Sequence, residues 1–140
     1  MNWPPAIPDP RNAQAKAYLG DIYFRHHHYQ PAVQLLEEAI KLQPSIRVTY
    51  LDLGIIYTYQ KQYARAAAAL QRAIRLDPQR ADAHYRLAIT YHALGREAES
   101  EAEQNKVAKL QNKTRDDLLH KISGPPPVLS PSQSPAEGHQ

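Results

Sequence analysis

The sequence predicts an all-α solenoid of three helix hairpins, and three observations predict it. The first is a spacing. Pro44 and Pro78 stand 34 residues apart, and the residues ahead of them repeat at the same interval. Leu19-Gly20, Tyr23, Ala32, Leu36, Ala39 and Pro44 are followed by Leu53-Gly54, Tyr57, Ala66, Leu70, Ala73 and Pro78. A period of this length is the mark of a stacked repeat. The second is the apolar pattern inside each half-unit, with residues such as Leu53, Ile56 and Tyr57 on one helical face rather than alternating as in a strand. The third is where small residues and prolines fall. Gly20 and Gly54 let two helices approach, Ala32, Ala39, Ala66 and Ala73 do the same from the opposite helix, and each proline ends a helix, because the residue before a proline is turned away from helical geometry.

The elements follow in order. Residues 1–12 hold Pro4, Pro5, Pro8 and Pro10, so this arm is expected to be extended. Units of two antiparallel helices are expected over 13–46 and 47–80, with Pro31 near the first turn of its helix, where a missing N–H costs little. A third unit, 81–114, keeps Leu87-Ala88 and Tyr91 and then departs, with Ser100, Gln104, Val107 and Asn112 at the later landmarks. Its second helix is expected to start near Arg96 and run on through 115–122. Glu97, Glu99, Glu101 and Glu103 suit the dipole at its start. This helix reads either as a solvating cap or, through Val107, Leu110, Leu118 and Ile122, as one that seeks apolar cover on another subunit. Residues 123–140, with five prolines, are expected to form a non-regular tail.

Leu-Gly, Tyr, Ala, a large apolar residue, Ala and Pro at these offsets resemble the tetratricopeptide repeat (TPR) family over about 70% of the chain. The position that often holds Trp in that family holds Lys16, Tyr50 and His84 here. The resemblance implies a right-handed superhelix whose concave surface comes mainly from the first helix of each unit. Mapped onto this chain, that surface includes Phe24 and Arg25, then Val48, Leu51, Ile55 and Tyr59, then Tyr85, Ile89 and His92. It would be a mainly apolar and aromatic groove, suited to an amphipathic helix or an extended apolar segment of a partner protein. Relatives that hold a peptide's C-terminal carboxylate use Lys and Asn at positions occupied here by Ala17, Asp21, Asp52 and Asp82. Only Arg86 fits, so an acidic peptide terminus is not the expected ligand.

Other classes are argued against by composition. Net charge is +3, with no dense basic patch, so nucleic acid is not an expected partner. The second unit carries +4 of that charge, with Arg65, Arg72 and Arg75 on one helical face. Mean hydropathy is −0.64 and no apolar run approaches the length of a transmembrane helix. There is no cysteine, no Gly-rich phosphate loop and no nucleophile–base set, so neither an enzyme nor a cofactor is expected. His26-His27-His28 falls in a turn, and adjacent imidazoles there cannot readily converge on one ion. His84 and His92 share a helix face but lie about two turns apart, too far to chelate together. No signal peptide is visible, and a cytoplasmic chain or one exported after loss of a leader fits equally.

The functional expectation is a non-catalytic scaffold that binds a peptide or helix through the groove. The alternative is a structural subunit that assembles head to tail with further copies of itself. Its arms would act as ties, through Trp3 and Ile7 at one end and Val128 and Leu129 at the other. A histidine-dependent metal or enzyme function stands as a third reading.

Overall fold

The computed structural model describes residues 3–6 and 9–124. Ile7, Val128 and Leu129 lie outside them. Six α-helices follow one another, and no strand occurs among the described residues: α1 (Ala13–Arg25), α2 (Tyr29–Leu42), α3 (Arg47–Tyr59), α4 (Tyr63–Leu76), α5 (Ala81–Ala93) and α6 (Glu97–Ser123). None is long and apolar enough to cross a membrane. The described residues up to Leu110 form one compact part and those from Gln111 another. In the second part, the described residues are the end of α6, where Leu118, Leu119 and Ile122 are exposed, and Gly124.

Local chemistry sets the helix ends. The Asn12 side chain accepts from the Ala15 N–H at 2.9 Å and caps α1. Each first helix closes into its partner through one left-handed residue at the same place in the repeat: His27 (φ 62), Lys61 (φ 60) and Gly95 (φ 75). Only the third is the residue type that takes this conformation without strain. The second helices of the first two hairpins end at Gln43 and Asp77, each directly before a proline.

Packing explains the landmark residues. Ala32, Leu36, Ala39, Ala66, Leu70 and Ala73 are fully buried. A Cβ on Gly20 would lie 2.9 Å from Leu36 Cγ, and one on Gly54 only 2.5 Å from Leu70 Cγ. Each glycine thus makes room for a leucine of the opposite helix. In the third hairpin the pair is exchanged for Ala88 and Gln104, and the contact is made by Ser100, whose buried hydroxyl donates to the Ala88 carbonyl at 2.8 Å.

Two expectations are corrected here. Glu103 does more than suit the dipole at the start of α6. It is buried, with Oε2 2.6 Å from His84 Nδ1 and Oε1 accepting from Lys106. His84 and His92 do not share surroundings either. His84 is buried between α5 and α6, while His92 is exposed and lies 2.8 Å from Glu97. Eight residues turn a helix by somewhat more than two full turns, and the remainder is enough to carry the second ring out of the interior.

Candidate functional site

The first helices α1, α3 and α5 carry the residues expected to line a groove. Their surroundings differ in an ordered way. Phe24 is half-buried against the core cluster of the first two hairpins, and Val48 packs against Ala13, Ala17, Ala39 and Ile46. Leu51 is half-buried beside Leu70 and Leu87. Ile55 is only 8% exposed and belongs to the packed interior more than to a surface. Tyr59 (55%), Tyr85 (54%) and Ile89 (40%) are open. Apolar exposure therefore grows from α1 toward α5. Tyr59 also continues an aromatic run, with its ring 5.9 Å from Tyr29, which in turn lies 6.3 Å from Phe24. Tyr85, Ala88, Ile89 and His92 of α5, with Ser100 and Gln104 of α6, line an open cleft of about 350 Å³.

The acidic residues of this face do not act as three bare charges. Asp21 receives Arg25 Nε at 2.7 Å, and Asp82 is held by Arg47 and Arg80. Burial opposes ionisation of both, yet the hydrogen bonds they accept, from Asp52 and Arg25 to Asp21 and from Arg47 to Asp82, hold them below the usual carboxylate range. Asp52 behaves oppositely. It is 3% exposed, and its Oδ2 has no hydrogen-bond partner among the described residues. Burial, together with the hydrogen bond to Asp21 and the charge of that residue, pushes its carboxyl up to about 9. At neutral pH Asp52 keeps its proton and donates it toward Asp21, while Arg25 neutralises Asp21. The expected repulsion of an anion by three aspartates is reduced accordingly. The face is near-neutral, with an apolar and aromatic surface. The sequence signals the three aspartates but not which of them is charged.

Of the arm residues Trp3 and Ile7, the structure describes Trp3. Trp3 does not enter the face of α1, α3 and α5. Its ring sits 4.4 Å from His26, 5.2 Å from His28 and 5.2 Å from Tyr23, at the turn between α1 and α2 of its own chain. At the equivalent places in the next two units, Tyr57 is covered by Arg65 at 4.4 Å and Tyr91 by Arg96 at 4.6 Å. Trp3 thus takes the part of a cation, covering an aromatic ring that its own hairpin leaves bare. His26 and His28 are its platform. Among the described residues no group of three His, Asp or Glu is placed to hold a metal ion.

Comparison with known proteins gives the family. Tetratricopeptide repeat models match residues 13–46 and 81–114, and a TPR repeat model matches 54–95. No curated protein matches the chain. Among solved structures, a crystal structure of MamA has a TM-score of 0.73 at 24% identity, covering 77% of this chain and 63% of its own. A second crystal structure of MamA protein has a TM-score of 0.69 at 21% identity, covering 87% of this chain and 63% of its own. The second TPR of Spaghetti (RPAP3), bound to the HSP90 peptide SRMEEVD, has a TM-score of 0.68 at 20% identity and covers 72% and 88%. These likenesses show the fold, and the chain spans 63% of the length of both MamA chains. The helix hairpins, their 34-residue register and the sequence models agree, and the chain is a tetratricopeptide repeat protein.

Proposed function

We propose that this protein is a non-catalytic scaffold that takes an apolar helix or extended segment of another protein on the face of α1, α3 and α5. One observation carries the reading: Tyr59, Tyr85 and Ile89 remain open on one face whose carboxylates are neutralised internally. Such a face gains from covering apolar area and offers little to a charged ligand. The TPR neighbour with a bound peptide supports a protein as the partner class. It does not extend to the acidic peptide itself. Ala17, Asp21, Asp52 and Asp82 replace the cations and amides such a terminus needs, which leaves Arg86 alone.

The test is replacement of the open residues in the full chain. Tyr59→Glu and Tyr85→Glu place a charge on the face, and each is expected to reduce recovery of co-purifying proteins from the native cell at least tenfold. Arg75→Glu, on the exposed side of α4, should leave recovery unchanged. Equal recovery from all three variants would reject the groove as the binding face.

A further inference from the structure

The two internal junctions of the stack are built alike. At the first, the Tyr57 hydroxyl donates to Glu37 Oε1 at 3.0 Å; at the second, Gln71 Nε2 donates to the Tyr91 hydroxyl at 2.8 Å. Both bonds join residues 20 apart, at the same two places of the 34-residue repeat. Apolar contacts keep that register: Leu36 shares a core cluster with Leu53, Ile56 and Tyr57, and Leu70 with Leu87 and Tyr91.

Carried one step further, the register leaves an unfilled half at each end. On the third unit the place of Glu37 and Gln71 is held by Asn105, which is exposed. Ile89 is 40% exposed where its equivalent Ile55 is 8%. On the first unit the place of Tyr57 and Tyr91 is held by Tyr23, whose ring meets Trp3 at 5.2 Å but whose hydroxyl has no hydrogen-bond partner among the described residues. The place of buried Asp52 is held by Tyr18, which is 70% exposed. The end of a repeat stack ordinarily turns a polar face to water, because no neighbour covers it. Here α1 presents Ala15, Tyr18, Ile22 and Tyr23 at the positions where α3 presents Thr49, Asp52, Ile56 and Tyr57. At these four places the open end is no more polar than the covered junction, while Asn12 and Gln14 stand where the junction has Ile46 and Val48.

We propose that these two unlike ends meet, so that α1 of a second copy of this chain stacks on α5 and α6 as α3 stacks on α1 and α2. Continuity with the internal junctions selects the occupant. The second copy's Tyr23 comes opposite Asn105, and its Tyr18 comes over Ile89, just as Asp52 lies over Asp21. The contact is heterologous, so copies add one after another rather than closing as a two-fold dimer. It uses helix faces rather than the arms, and it covers Ile89 while leaving Tyr59 and Tyr85 to a partner in the groove.

Sedimentation velocity on the full chain over a wide concentration range tests the proposal. Wild type is expected to show a mass that rises with concentration beyond two chains. Tyr18→Glu and Ile89→Glu should each remain a single chain when alone. Mixed at equal amounts they should form a dimer that grows no further, because one variant keeps an intact α5–α6 face and the other an intact α1 face. Circular dichroism confirms that both variants are folded, and Asn105→Arg replaces Ile89→Glu if the latter melts early. A wild type that stays a single chain throughout, association untouched by the variants, or a mixture that stays monomeric would each overturn the proposal.

Discussion

Asp52→Asn is expected to raise stability at pH 8 and to leave it nearly unchanged at pH 4. In the unfolded chain this carboxyl titrates near 4, whereas in the fold burial and Asp21 push it up to about 9. Between those values the folded state holds one proton more than the unfolded state, so stability falls as pH rises through that window. Below it both states are protonated and the effect vanishes. The slope for one such group is about 1.4 kcal/mol per pH unit, so over the roughly four units up to pH 8 the cost is on the order of 5 kcal/mol. Asparagine has nearly the same shape, is neutral in both states, and can donate to Asp21 as the protonated carboxyl does. The difference in melting temperature between variant and wild type should therefore widen from near zero at pH 4 to about 15 °C at pH 8. Using the difference removes the contribution of titrating groups that Asp52 does not touch. A difference that is constant with pH would show that Asp52 is ionised in the fold.

Gly54→Ala is expected to destabilise the protein by about 2 kcal/mol, although alanine is the better helix former by about 1 kcal/mol. The added Cβ would lie 2.5 Å from Leu70 Cγ and 2.6 Å from its Cδ2, and Leu70 is fully buried with no free side to move toward. Gly20→Ala should cost less, since the nearest atoms of Leu36 stand at 2.9 Å. The third hairpin already carries the compensated form, with Ala88 facing a unit that has Gln104 in place of the leucine. Leu70→Val should accordingly hurt the Gly54→Ala background less than it hurts wild type. The two changes should couple by roughly 1 kcal/mol in a double-mutant cycle followed by thermal melts. Additive losses would mean that the glycine is not there to admit the leucine.

The period was legible because each landmark serves a contact that recurs. Gly20 and Gly54 face Leu36 and Leu70, Pro44 and Pro78 end α2 and α4, and Tyr57 and Tyr91 cross to the preceding unit. Repetition exposes such contacts without any knowledge of the fold. What occurs once was not legible. Glu103 reads as one more residue in an acidic run, and only α5, folded against it, shows that it partners buried His84. Asp52 reads as an ordinary charge until Asp21 is placed beside it. The hairpin turn shows its left-handed residue openly as Gly95 but conceals it as His27 and Lys61. Of the expected groove, the residue types were readable but their exposure was not. Ile55 and Ile89 hold the same place in successive units, and a following helix covers only the first.

The central claim is that the face of α1, α3 and α5 is where another protein is held. A photo-reactive amino acid placed at Tyr59, at Tyr85 or, on the other side, at Arg75 measures this directly in the native cell. The account predicts crosslinked protein adducts from positions 59 and 85 and none from 75. Adducts from 75 alone, or none from any of the three, would contradict it.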